Sequence, residues 1–177
     1  MKKPVRIIIA VVAVAIGAFM GFFWGDYQNT HSSQWHEVST SEMSITIPKS
    51  MKEGKSFYTS TGQTSVAVYE NSKAAVSVSK IPYSVNANLE NMDLKKYINS
   101  ISMNGKKLVA VSINDGYYAT YTQRGDAKDG EEDQLFAIEA FFSGDDALYS
   151  VKVTCMNKDR DKYEESMMEW IKSFELK

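Results

Sequence analysis

Only two histidines and one cysteine occur in this 177-residue chain, so few side chains can act as nitrogen or sulfur metal ligands or as a thiol nucleophile. His31 and His36 lie five residues apart, off the i, i+4 spacing that places two zinc-binding histidines on one helix face. We therefore interpret both as polar residues of a surface segment. Serine and threonine are plentiful, but neither a Gly-x-Ser-x-Gly nucleophile turn nor a glycine-rich phosphate loop is present.

Cys155 ends a run in which every second residue is apolar, namely Tyr149, Val151 and Val153. Such alternation places the four side chains on one face of a strand. The thiol is therefore predicted to be buried and to act as a small hydrophobic group, because reactive cysteines need exposure and a lowered pKa. A lone cysteine also excludes an internal disulfide.

The stretch from Asp126 to Asp133 carries five carboxylates in eight residues. Carboxylate oxygens suit a hard cation such as calcium, but the spacing is not that of an EF-hand loop. We interpret the stretch as a solvated hairpin tip. The tripeptide Arg124-Gly125-Asp126 matches an integrin-type motif, but a match of three residues arises too easily by chance to indicate integrin binding. No catalytic residue, cofactor site or metal site is predicted.

Three tyrosines, Tyr117, Tyr118 and Tyr121, fall on both faces of one predicted strand. An exposed aromatic patch there would suit a protein or glycan partner. The alternative is that tyrosine simply fits a half-buried strand.

The N-terminus has the pattern of a signal-anchor. Lys2, Lys3 and Arg6 precede an uninterrupted apolar run from Ile7 to Trp24, and Asp26 closes it. As a helix this run rises ~27 Å, close to the ~30 Å hydrocarbon core of a bilayer. Because positively charged flanks stay in the cytoplasm, residues 1–6 are predicted to be cytoplasmic, 7–24 to span the membrane, and the remainder to be extracytoplasmic.

A cleaved secretory signal is the alternative, since it shares the basic start and the apolar stretch. Its candidate cleavage sites, near Ala15 and Gly17, precede the aromatic segment Phe19 to Trp24, so cleavage would leave an apolar terminus. Gly17, Gly21 and Gly25 recur at the spacing that lets two membrane helices approach closely. This spacing is compatible with a weak homodimer or with the ordinary glycine content of membrane helices.

The charge balance bears on the partner class. Twenty basic residues, three of them in the N-terminal flank, stand against 22 acidic ones. Nucleic acid is excluded as a partner, because binding phosphates needs a basic surface. The polar stretch 25–34 is predicted to be a flexible linker of ~15–18 Å span, followed by one domain over 35–177.

Hydrophobic periodicity gives the elements of that domain. Period-two runs predict strands at 43–47, 66–68, 76–78, 109–113, 117–121, 136–142 and 149–155, with turns at 71–73, 114–116 and 143–146. Helical spacing predicts a helix over 93–102 and a second one that opens at Asn157 or Asp159. The apolar stripe of the second helix, from Tyr163 to Phe174, is predicted to pack on the sheet. The fold class is α+β: an antiparallel sheet flanked by helices, preceded by a transmembrane helix.

The opening WHEVSTSEMSITIPKSM resembles the start of the PsbP-like fold, in which a hairpin ends in an apolar residue, a proline and a few polar residues. The ending YEESMMEWIKSFEL is similar to that group's terminal helix. The group contains extrinsic subunits and assembly factors of photosystems, a Ran-binding factor and bacterial envelope proteins resembling DcrB, and most members bind partners rather than catalyse. The resemblance therefore implies a non-enzymatic protein, without assigning site residues.

Three function classes follow. The favoured one is a membrane-tethered extracytoplasmic domain that binds or assists another membrane or envelope protein. A small-ligand or lipid-binding module would need a cavity between sheet and helix. An enzyme would need convergent polar groups in a cleft, and this class has the least support in the sequence.

Overall fold

The computed structural model describes residues 24–56, 62–124 and 134–177. The predicted membrane span 7–24 lies outside these ranges except for Trp24. Within the described ranges, no helix has the length and apolar character needed to cross a bilayer. The cytoplasmic segment 1–6 also lies outside the described residues, as do Gly17 and Gly21, so the membrane span and its pairing face stay predictions.

The stretch expected to be a flexible linker is folded against the domain. Residues 24–30 form a helix, α1, and Ser32–Gln34 form a 3-10 turn. The Asp26 carboxylate is bound by the ammonium of Lys162 and the hydroxyl of Tyr163. The polar composition suggested a solvated tether, but Asp26 and Asn29 are buried because their partners lie elsewhere in the domain.

A seven-stranded antiparallel sheet forms the centre of the domain. Its spatial order is β3-β4-β5-β11-β10-β9-β8. The strands are β3 (Lys52–Glu53), β4 (Thr64–Glu70), β5 (Ala74–Pro82), β8 (Val111–Ile113), β9 (Gly116–Arg124), β10 (Gln134–Ser143) and β11 (Ala147–Met156).

Two smaller sheets complete the strand set. β1 (Trp35–Ser39), β2 (Met43–Pro48) and β12 (Glu175–Leu176) form a three-stranded antiparallel sheet with β2 in the middle. β6 (Ser102–Met103) and β7 (Lys106–Lys107) form a short hairpin.

One hydrophobic core lies between the central sheet, β2 and the helix α3 (Arg160–Lys172). The apolar stripe predicted for the C-terminal helix is confirmed as core, although its last member, Phe174, lies just beyond the end of α3. Fully buried side chains in this core include Met43, Ile45 and Ile47 from β2, Val76, Val78, Ile138, Val151 and Val153 from the sheet, and Tyr163, Met167 and Trp170 from α3.

A second core covers part of the opposite sheet face. Helix α2 (Leu94–Ser100) begins at Asp93, whose carboxylate accepts a hydrogen bond from the Lys96 amide. It is shorter than the predicted 93–102, because residues 102 and 103 turn into β6. The buried residues of this second core include Leu94 and Ile98 from α2, Ala119, Ala137, Phe141 and Leu148 from the sheet, and Tyr83, Leu89 and Leu108 from the flanking segments.

The predicted turns are confirmed with local differences. The Asn71 side chain accepts hydrogen bonds from the Lys73 and Ala74 amides and so closes the turn between β4 and β5. Asn114 and Asp115 form the two-residue loop between β8 and β9, with Asn114 at a positive φ of 42°. Gly116 starts β9, where a Cβ atom would come within 2.3 Å of the Phe141 carbonyl oxygen.

Candidate functional site

The two histidines do not come together as a metal site. The His31 ring stacks on Tyr27 with centroids 3.9 Å apart, and its Nδ1 lies 3.0 Å from the Thr30 hydroxyl. His36 is exposed on β1 opposite Ile47. Among the described residues, no three His, Cys, Asp or Glu side chains are arranged to hold a metal ion.

Cys155 is buried, as its strand alternation predicted. Cys155 is 2% exposed and lies in the same core as Tyr149, Val151 and Val153. Burial raises the pKa of the Cys155 thiol to about 11, so the nucleophilic thiolate is rare at neutral pH.

The acidic stretch Asp126–Asp133 lies outside the described residues. Of the tripeptide at its start, Arg124 is the last residue of β9, and Gly125 and Asp126 fall outside the described ranges. The expectation of a solvated tip without a specific metal therefore stays a prediction.

A polar network crosses β9, β10 and β11 on the sheet face that α2 partly covers. Glu139 accepts hydrogen bonds from the Tyr121 hydroxyl at 2.5 Å and the Ser150 hydroxyl at 2.7 Å. Lys152, which pairs with Glu139 across the strands, donates to the Gln123 amide oxygen at 2.7 Å. Sequence reasoning missed this network, because its members meet only once the register of three strands is known.

The network is satisfied by its own members. Burial, with the charge of Glu139, raises the pKa of the Tyr121 hydroxyl, so the phenol stays protonated and donates. Burial lowers the pKa of Lys152, and the nearby Glu139 carboxylate opposes that shift. Both Glu139 oxygens have hydroxyl donors, so the arrangement joins three strands and presents no activated nucleophile–base pair.

The outer edge of β9 is only partly paired. β8 pairs only with Gly116, Tyr117 and Tyr118, so β9 continues beyond it along this edge. The Asn104 side chain donates to the Thr122 carbonyl oxygen at 2.7 Å, which places that carbonyl on the outer edge. Since alternate residues of a strand direct their backbone groups to the same side, Thr120 also faces this edge.

Exposed valines flank the edge. Val109, predicted to start the strand, precedes β8 and is 72% exposed, and Val111 is 44% exposed. Together with the β9 edge they line an open groove of about 800 Å³, which we call the edge groove. Its other lining residues include Met103, Asn104, Lys106, Lys107, Leu108, Tyr118, Thr120, Tyr121, Thr122 and Gln123.

The three tyrosines singled out in the sequence contribute unequally. Tyr121 is buried, while Tyr117 and Tyr118 are half-buried, so they do not form a broad exposed patch. Tyr118 and Tyr121 line the edge groove. The apolar contact surface there comes instead from the valines, which the alternating pattern had assigned to a strand.

A second open groove lies beside the turn between β10 and β11, and its lining includes an ion pair between Glu42 and Lys80. Glu42 accepts hydrogen bonds from the Lys80 ammonium at 2.7 Å and from the Tyr149 hydroxyl at 3.0 Å. These bonds tie the small sheet to the central sheet.

Comparison with known proteins establishes the fold. No family model matches the sequence, and no curated protein matches it significantly. The structure is similar to that of the cyanobacterial PsbP protein (CyanoP) of Synechocystis sp. PCC 6803, with a TM-score of 0.50 and 12% identity over 84% of this chain and 95% of that one.

A crystal structure from Bacteroides thetaiotaomicron is similar with a TM-score of 0.50 and 13% identity. The match covers 81% of this chain and 49% of that chain, so this chain spans about half the length of the Bacteroides protein. With its antiparallel sheets, its few helices and these two likenesses, the chain has a PsbP-like fold.

Proposed function

We propose that this protein is a non-enzymatic, membrane-anchored extracytoplasmic domain that binds another membrane or envelope protein through the edge groove. The observation that carries the proposal is the pair of exposed valines beside the open β9 edge. An open strand edge offers backbone donors and acceptors to an extended segment, and flanking apolar side chains add contact area.

Three basic residues, Lys106, Lys107 and Arg124, and one acidic residue, Glu164, line the groove, and this balance favours an acidic or mixed segment. Lys106 and Lys107 are exposed on β7 and lie at the groove. A partner strand bearing carboxylates would contact these ammonium groups. Such charge pairing raises the association rate and the specificity of binding beyond what the apolar contact provides.

The sequence supports the membrane part of the proposal. The basic flank ending at Arg6 and the apolar run Ile7 to Trp24 have the order and length of a signal-anchor whose N-terminus stays in the cytoplasm. The domain would then meet partners in the same membrane or close to it.

Site-directed photo-crosslinking in the native membrane tests partner binding. A photoreactive residue at Val109 should give a reproducible crosslinked protein, whereas the same residue at Val85 should not. Val85 is the matched control because it is 57% exposed but does not line the edge groove.

A charge introduced into the apolar surface supplies the second arm. With the photoreactive residue kept at position 109, Val111→Asp should abolish the crosslinked product and leave the thermal transition in place, because exposed substitutions change stability by about 0.5 kcal/mol or less. Val85→Asp in the same background should retain the product. An identical crosslink from positions 109 and 85, or one from position 109 that survives Val111→Asp, would place partner binding elsewhere.

A further inference from the structure

Helix α1 is inverted relative to an ordinary surface helix. Its polar residues Asp26 and Asn29 are buried against the domain, while Trp24 is 56% exposed and Tyr27 is 37% exposed. A helix on a water-soluble domain normally packs its apolar side inward and leaves its polar side in water.

The inward side of α1 is fixed by specific contacts. Besides the bonds of Asp26 to Lys162 and Tyr163, the Asn29 side-chain oxygen accepts a hydrogen bond from the Asn71 amide at 2.8 Å. The Asn29 backbone carbonyl accepts one from the Trp35 indole at 3.2 Å. These contacts tie α1 to α3, to the turn at 71–73 and to β1.

The outward side is a continuous aromatic stripe made of Trp24, Tyr27 and His31. The Trp24 and Tyr27 ring centroids are 5.7 Å apart, and those of Tyr27 and His31 are 3.9 Å apart. Single exposed aromatic residues are common, but a stacked stripe opposite a buried polar side needs a nonaqueous contact to explain it. Tryptophan and tyrosine favour the headgroup layer of a bilayer, where their rings meet both apolar and polar surroundings.

The sequence before α1 indicates what lies against the stripe. Trp24 is the last residue of the apolar run that starts at Ile7. Along a helix, Tyr27 follows Trp24 by only ~4.5 Å, which fits within a headgroup layer about 5–8 Å thick. Basic side chains lie on the same part of the domain: Lys73 approaches Gly25, and Lys52 lines the adjoining hollow.

We propose that Trp24 and Tyr27 of the aromatic stripe contact the lipid headgroups and that the Asp26 and Asn29 contacts hold the domain directly on the bilayer in one orientation. This inference rests on the membrane anchoring proposed above. The domain then has a fixed orientation on the bilayer and does not move freely on a tether. The turn at 71–73, which contacts α1, then lies next to the lipid surface. The turn at 144–146 lies at the other end of β5, since Ala147 pairs with Pro82, and therefore faces away.

Nitroxide labelling of the full-length chain in phosphatidylcholine vesicles tests the orientation. Labels are placed at Ser72→Cys or at Asp145→Cys, and Cys155 is left in place because it is buried. The label at 72 should be several-fold less accessible to a water-soluble nickel chelate than the label at 145. Equal accessibility in vesicle-bound protein would overturn the inference.

Two sets of variants probe the cause. Trp24→Gln with Tyr27→Gln alters only exposed side chains, and Asp26→Asn with Asn29→Ala alters only the inward contacts. Each pair should raise the accessibility of the label at position 72 toward that of the label at 145. If the Trp24→Gln, Tyr27→Gln variant leaves the accessibility at position 72 unchanged, the inference is overturned, even if the second pair fails to fold. Flotation of the same samples separates the two proposals, because loss of vesicle binding in the parent chain contradicts the anchor itself.

Discussion

At the scale of single residues, two carboxylates join elements that are distant in sequence. Burial tends to raise the pKa of Asp26, but its bonds with Lys162 and Tyr163 outweigh burial and hold that pKa below its usual 3.8. The hydrogen bond from Lys80 holds the pKa of Glu42 below its usual 4.5. In the folded state, each carboxyl group therefore interacts more favourably with its hydrogen-bond partners when it is ionised than when it is protonated.

These shifts predict acid sensitivity. A carboxyl group with a lowered pKa stabilises the folded state above its unfolded pKa, and this contribution is lost as the pH falls through the folded value. The melting temperature should therefore fall as the pH decreases below about 4.5. The variant Asp26→Asn with Glu42→Gln should melt lower at neutral pH and show a shallower decline, as measured by circular dichroism.

The control for this experiment is Asp115→Asn, which changes an exposed carboxyl. It should follow the parent curve at every pH. Parallel curves for the parent and the double variant would show that the two carboxylates do not set the acid limit.

The buried thiol gives a second residue-scale prediction. Cys155 should react slowly with iodoacetamide in the native state and fully after denaturation, followed by mass spectrometry, because it is shielded and its pKa is raised. Cys155→Ser should lower the unfolding free energy by roughly 1–3 kcal/mol, since it buries a hydroxyl without an assured partner. Cys155→Ala is the matched control without a hydroxyl, and fast native labelling would contradict the burial.

At the scale of elements, α3 connects the two main sheets. Trp170 lies fully buried and meets Trp35 of β1 edge to face, with ring centroids 6.0 Å apart. The Ser173 hydroxyl, just beyond the helix, accepts a hydrogen bond from the Thr46 amide of β2 at 2.8 Å. The helix is therefore part of the core rather than a detachable partner helix.

Truncation tests this role. A chain ending at Lys162 should lack a cooperative thermal transition, because one truncated core aromatic costs ~3–5 kcal/mol against a total stability of ~5–15 kcal/mol. Trp170→Ala should lose a comparable ~3–5 kcal/mol in chemical denaturation. Glu165→Ala, on the exposed side of α3, is the control, and a truncated chain that melts like the parent would make the helix peripheral.

At the scale of the whole molecule, the sequence predicted what depends on local periodicity. The period-two runs placed the long strands, and the burial of Cys155 and of the α3 stripe followed from them. Local patterns do not report pairing between distant segments, so the three-stranded sheet with β12 was not predicted.

The same reason accounts for the misassigned linker and the unforeseen groove. Asp26 and Asn29 look like linker residues until Lys162, Tyr163 and Asn71 supply their partners. Val109 continues a valid alternation, but the strand begins two residues later, at Val111. The residue at which a strand stops pairing depends on the neighbouring strand. The edge groove lies where the pairing between β8 and β9 stops.

The pairing of β2 with late segments also sets the timing of folding. The Thr46 amide and the Ser173 hydroxyl that bind each other are 127 residues apart. At about 5–20 residues per second, synthesis of that interval takes roughly 6–25 s. Until α3 has been made, the core that Met43, Ile45 and Ile47 enter lacks one of its sides. β2 also has one uncovered edge until residue 176 has been added, so the newly made domain is exposed to aggregation for that time.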